Sequence, residues 1–167
     1  MKFRFEQTFE TTRDELFDVM FKKGAVEEMK GYMTSIVDAE TLEWKNSKGR
    51  VSRRVRYQPA PLIREIGPKK VDPKWMEWVE ELEFDKKEFI GRFRNVPTNR
   101  KVAELLENSG VIEFIPVSNG TTMRAVHGDL RVKVFLLGSI AERVIHVNAK
   151  KIIEEEASVL KRYFIKK

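Results

Sequence analysis

The hydrophobic period of this chain changes late, and it does not change back. From Gly138 to Ile165 apolar residues recur every three or four positions, with no proline and no further glycine. That tail reads as one helix about 40 Å long. Between residues 34 and 134 the apolar residues recur at every second position instead, as in half-buried strands. A sheet that must bury one face needs a cover, and the tail is the one segment long enough to supply it. The pattern predicts an α+β domain: a curved antiparallel sheet of six to seven strands wrapped around a long C-terminal helix.

The remaining elements follow from local signals. Phe3, Phe5 and Phe9 alternate with polar residues as a first strand. Thr12 and Glu15 form a capping box ahead of the stripe Leu16, Phe17, Met20 and Phe21, and Gly24 ends that helix. A second short helix closes near Gly31. Strands are predicted near 34–44, 50–58, 75–85, 88–95, 110–117 and 121–134, with "SNGT" (118–121) as a tight hairpin. The stretch "PAPLIREIGPKKVDP" (59–73), with its prolines, reads as a long loop, and 98–108 is open between helix and strand. No repeat or linker divides the chain, so residues 1–167 form a single domain.

Composition narrows the function classes. There is no cysteine, hence no disulfide framework and no thiolate chemistry. Acids at Glu6 and Glu10 exclude a signal peptide, and the longest plain apolar run, "VFLL" (134–137), is far too short to span a bilayer. A soluble, cytoplasmic protein is expected. The two histidines lack ligand spacing and the glycines form no phosphate-binding fingerprint, so neither a metal nor a cofactor is implied. His146, with Glu142 and Lys150 one turn away on either side, is expected on a solvated helix flank.

The net charge of +6 is uneven. Ten of the basic residues fall between Lys45 and Lys74, against Glu65 and Asp72 alone. Such a block suits nucleic acid or anionic lipid. The acidic run "EWVEELEFD" (77–85) follows, and antiparallel pairing with "RVSRRVRYQ" (50–58) would cancel much of it. Arg50, Arg54 and Arg56 would then pair outward, leaving Lys69, Lys70 and Lys74 as a residual patch for an anionic membrane surface. Trp75, Trp78 and Tyr57 do not make a convincing stacking platform for nucleic acid, because Trp78 belongs to an apolar face.

Arg53 is the anomaly: it shares the side of its strand that carries Val51, Val55 and Tyr57. A buried guanidinium requires a partner. Glu80, between Trp78 and Leu82 on the apolar side of its own strand, is the favoured one, and Glu156 is the alternative. On the terminal helix one face collects Gly138, Ala141, Ile145, Ala149, Ile152, Val159 and Tyr163. Its first half is lined by small side chains, which against a concave sheet either pack closely or leave space.

The order of elements, together with "GRVSRRVRYQP" (49–59), "VDPKWMEWVEELEFD" (71–85), "GDLRVKVFLLGSIAERV" (128–144) and "EEEASVLKRYF" (154–164), resembles the START-like (SRPBCC) or helix-grip superfamily, and within it a mostly bacterial family. That superfamily includes polyketide cyclases, birch-pollen-allergen-like proteins and lipid-transfer domains. The resemblance covers essentially the whole chain and implies a cavity between sheet and helix, but it brings no catalytic motif. The reading is a module that binds or transports a hydrophobic small molecule, lipid or polyketide-like. Its apolar walls would be Tyr57, Trp78, Phe93, Ile145 and Ile152, with Ala141 and Ala149 leaving room. Arg53, Glu80 and His127 would supply polar contacts. Two alternatives stay open. One is a cyclase or hydrolase in which His127 and Asp129, two apart on one strand face, handle protons. The other is a membrane or protein-interaction module using the basic 59–74 loop.

Overall fold

The computed structural model describes residues 1–61, 65, 66, 69, 70 and 72–165; for 65, 66 and 69 it describes the backbone alone. In chain order the elements are β1 (Lys2–Phe9), α1 (Arg13–Phe21), α2 (Ala25–Lys30), β2 (Ile36–Ser47), β3 (Arg50–Pro59), β4 (Glu65–Ile66), β5 (Lys69–Lys70), a 3₁₀ turn (Pro73–Met76), β6 (Trp78–Asp85), β7 (Ile90–Pro97), α3 (Arg100–Leu105), β8 (Leu106–Ser118), β9 (Thr121–Val132) and α4 (Gly138–Tyr163). Seven strands form one antiparallel sheet in the order β1-β9-β8-β7-β6-β3-β2, and β4 with β5 makes a separate small hairpin. β1 and β2 lie at opposite edges, so α1 and α2 carry the chain across the concave side.

Local chemistry explains the boundaries that differ from expectation. Residues 73–76 are not strand: Pro73 opens a 3₁₀ turn and the Asp72 side chain accepts from the Lys74 amide. The open segment 98–108 divides in two. Asn99 caps α3 through the Lys101 and Val102 amides, and β8 starts directly after it at Leu106. The proline-rich 59–73 stretch contains the β4–β5 hairpin, although most of the loop lies outside the described residues.

The concave face is packed unevenly. At the end where the hairpins turn, Phe9, Val51, Phe84 and Phe114 meet Leu16, Phe17, Met20 and Phe21 of α1 and Ala157, Val159 and Leu160 of α4. Phe84 stacks obliquely on Phe21 at 4.6 Å and on Phe114 at 4.8 Å between ring centres. Each such buried side chain contributes about 1.5–3 kcal/mol. Near the middle of the sheet Gly110 and Gly128 face each other across β8 and β9. A Cβ at Gly110 would lie 2.2 Å from the His127 carbonyl oxygen and 2.8 Å from the Phe93 ring. Only glycine permits that approach.

Candidate functional site: the open half of the concave face

Toward the other end of the sheet, where β6 and β8 begin and β9 ends, the inward positions are closed over only in part, with Val55, Pro97 and Leu130 buried. Tyr57, Trp78, Glu80, Asn95, Asn108 and Gly128 all point to the concave side, yet each remains partly exposed. The helix opposite them explains why. Buried residues of α4 are Gly138 at its start and then Ala157, Val159 and Leu160, with none between. Ala141, Ile145, Ala149 and Ile152 are only half-buried, and α4 packs mainly against β9 and β1. Tyr57 and Trp78 stack at 5.4 Å on the far side, and they and Ile152 pack against the buried cluster of Val26, Ile36, Ala39 and Val55. Phe93 is buried, its ring lying across Gly110.

Two ion pairs border this region. The buried Arg53 donates to Glu80 at 3.0 Å and to the Met20 carbonyl at 3.3 Å, and its guanidinium sits 5.1 Å from the centre of the Phe21 ring. Burial alone would pull its pKa down, but the neighbouring Glu80 carboxylate holds it above the usual arginine value. The Tyr57 phenol is pushed well up, by burial first and then by the Glu80 charge. Glu156 does not serve Arg53. It pairs with Arg124, 1% exposed, which also donates to Gln7 and to the Ile153 carbonyl. Each of the two arginines is thus matched by a glutamate, and the Glu27 carboxylate adds a further negative charge within reach of Arg53.

Glu80, Asn95 and Asn108 stand in one cross-strand row. The Asn95 amide donates to Asn108 at 2.9 Å, while the buried Asn95 Oδ1 and Arg53 Nε have no hydrogen-bond partner among the described residues. Buried polar atoms are normally paired, so an unpaired acceptor at the edge of an open region is informative. Neither Asn95 nor Arg124 figures in the sequence reading. Both are polar residues at inward positions, but the alternation that singles out Arg53 does not single them out.

Three expectations need correction. His127 does not line the concave side. Its Cα partners are Arg4 and Val111, on the outer face, and its ring contacts Glu113 at 3.0 Å. Asp129 is outward too, exposed beside a surface depression of about 450 Å³ shared with Glu107, Ser109 and Arg131. The two residues share a face as expected, but it is not the concave one. His146 is half-buried and stacked on Phe5 at 5.0 Å instead of solvated.

The outward arginines do meet the acidic strand: Arg50 pairs with Asp85 at 2.9 Å, Arg54 with Glu81 at 3.7 Å and Arg56 with Glu77 at 2.9 Å. Acids of β2 join them, Glu43 to Arg54 and Asp38 and Glu40 to Arg56. Lys70 and Lys74 are exposed; the Lys69 side chain lies outside the described residues.

No family model matches the chain, and no curated protein matches its sequence. Solved structures do match in shape. Norcoclaurine synthase from Thalictrum flavum superposes with a TM-score of 0.69 at 12% identity, covering 100% of this chain and 87% of that one. The Zhui aromatase/cyclase from Streptomyces sp. R1128 gives 0.67 at 13% identity, covering 97% and 94%. Ara h 8.0201 gives 0.63 at 13% identity, covering 99% and 97%. These likenesses extend over nearly the whole chain and show its fold: a seven-stranded antiparallel sheet with a long C-terminal helix, the helix-grip fold.

Proposed function

We propose that this protein binds a hydrophobic small molecule between the open half of its sheet and the first half of α4. The observation that carries the reading is the half-burial of Trp78, Asn95 and Gly128 and, on the helix, of Ala141, Ile145 and Ala149, on a face whose other end is closed by a buried aromatic cluster. Apolar walls with a few convergent polar atoms are what small-molecule sites are made of. Trp78, Tyr57, Phe93, Ile145 and Ile152 supply the walls, while Glu80 and Asn95 supply polar atoms. With both guanidiniums of the border engaged by carboxylates, no cation is left there for an anionic ligand among the described residues, which favours an uncharged one. Asn95 Oδ1, unpaired among the described residues, favours one with a hydroxyl or amide donor. Norcoclaurine synthase, which has the same fold, has been seen in complex with dopamine and hydroxybenzaldehyde. Arg53 and Glu80 act as a structural pair at the edge of the site. The outward placement of His127 and Asp129 removes the proton-handling pair from the cyclase or hydrolase alternative.

The test is displacement. Ala149→Phe fills the space below α4 and should abolish binding of an uncharged, apolar fluorescent probe with the melting temperature retained. Unchanged probe binding by this variant, or no binding by the natural protein, would refute the carrier reading.

A further inference from the structure

The "VFLL" run, too short to cross a membrane, leads into α4 with its side chains in solvent. Phe135 is 88% exposed, Leu136 80% and Leu137 59%. Leu136 has φ +63°, the left-handed region that disfavours a branched side chain. Such outliers persist where the surrounding structure holds them, often at functional surfaces. The apolar surface continues along the helix: Ile140, Val144 and Val147 share a stripe and are exposed as well. One turn later the stripe becomes charged, with Lys151 and Glu154.

The same end of the sheet gathers two more exposed apolar residues. Leu105 lies beside this segment, its carbonyl accepting from the Lys133 amide at 2.7 Å. Trp75 sits just before β6, whose first residue pairs with the last of β7, ahead of α3. Exposed apolar patches of this kind mark interaction surfaces.

The charges around the patch identify what it meets. Its acids are engaged: Glu104 contacts Arg100 at 3.4 Å, Glu107 pairs with Lys133, and Glu142 accepts the Val132 amide at 3.0 Å. Lys74, Lys101 and Arg143 are exposed and form no ion pair among the described residues. Protruding Phe and Leu side chains rimmed by unpaired cations suit the boundary between anionic headgroups and acyl chains, where Trp is also favoured. Each signal is weak alone, and together they give reversible anchoring. No helix among the described residues is long and apolar enough to cross a membrane, so the contact is peripheral.

We infer that the exposed side chains of 134–137 with Ile140, Val144 and Val147, together with Trp75, Leu105 and the cations Lys74, Lys101 and Arg143, dock this protein onto an anionic lipid surface. The anchor is apolar first, and not the 59–74 loop alone. This inference uses residues separate from the ligand walls and stands independently of the cargo.

The test is sedimentation with phosphatidylcholine vesicles containing about one third phosphatidylserine. The natural protein should bind, and Phe135→Ser with Leu136→Ser should lower partitioning about tenfold or more. Lys101→Glu with Arg143→Glu should weaken binding and its salt dependence. Val117→Ser, exposed at the opposite end of the sheet, should change nothing. Ala149→Phe should also sediment normally, which separates failure of the anchor from failure of the cargo site. Lack of binding by the natural protein, or full binding by the Phe135/Leu136 variant, overturns the inference. So does light scattering that shows a dimer lost in that variant with no vesicle binding, since the patch would then meet a second copy of the chain.

Discussion

Arg124 of β9 and Glu156 of α4 form an ion pair across the boundary between sheet and helix, with the guanidinium side chain 2% exposed and the carboxylate side chain 21%. The arginine is thus the dry partner. Removing the glutamate strands a buried charge, whereas removing the arginine leaves a carboxylate with access to water. Glu156→Met should therefore cost about 3–5 kcal/mol. Adding Arg124→Met should recover part of that loss, because a well-packed apolar pair escapes the desolvation penalty. Urea melts of the two single variants and the double variant measure this, and strict additivity would mean that the two side chains are uncoupled.

Arg53 and Glu80 form a second pair. Each arginine keeps other partners when its carboxylate is removed, Arg53 the Met20 carbonyl and Arg124 Gln7 and the Ile153 carbonyl, but Glu80→Gln, unlike Glu156→Met, still offers the guanidinium an acceptor oxygen. Glu80→Gln should accordingly cost less than Glu156→Met, about 1–3 kcal/mol, and Arg53→Met combined with Glu80→Gln should be less than additive. The same melts decide it. A larger loss for Glu80→Gln would place the main charge lock of the fold here.

Acid should loosen α4 through Glu155. Its carboxylate accepts from the Thr34 amide at 2.7 Å, the Thr34 hydroxyl at 2.6 Å and the Ser35 amide at 2.8 Å, and also from the Ser35 hydroxyl. Partial burial raises its pKa, but these donors outweigh it and bring the value to about 2 from the usual 4.5. A depressed folded-state value means that the stabilisation is complete above 4.5 and drains as pH falls toward 2. Glu155→Gln should flatten the melting temperature over that window relative to the natural protein. Parallel curves would show that Glu155 does not set the acid response.

Gly110 should tolerate no side chain. With the His127 oxygen and the Phe93 ring both inside contact distance of a new methyl group, Gly110→Ala should cost about 1–3 kcal/mol through forced backbone displacement. Gly31, in a right-handed conformation with its nearest neighbour at 3.5 Å, is the contrast: Gly31→Ala should be neutral or slightly stabilising. Equal losses at the two sites would argue against a steric cause.

The sheet and the long helix were legible because their periods differ and because each buries one face against the other. Arg53 and Glu80 were legible for the same reason, as charges on the wrong side of an otherwise regular alternation. β9 resisted that reading because both of its faces hold buried residues: Arg124 and Val126 inward, Ala125 outward. With hydropathy no guide to side, His127 was placed inward and Arg124 overlooked. Asn95 was hidden in a different way. An asparagine at an inward position matters only when its neighbours in the row are known, and Glu80 and Asn108 lie on strands far apart in sequence. The exposure of Phe135 and Leu136 is likewise a tertiary fact, since an apolar tetrad before a helix reads equally well as core.

The attachment of α4 has a mechanical consequence. Glu142 holds its first turns to the end of β9, while Glu155 and Glu156 hold its later turns to Ser35 and Arg124. Between these supports the helix is stiffened by its own hydrogen bonds and rests at His146 on Phe5 and at Ile152 and Ile153 on the core, while Ala141, Ile145 and Ala149 stay half-buried. A helix held along its length cannot rise at its centre without bending or releasing a support, and both cost free energy. If the proposed ligand lies beneath Ala141–Ala149, the room for it is set when the chain folds. Molecules would then be sorted by thickness, with those that fit meeting no ordering cost and bulkier ones excluded by the stiffness of the helix.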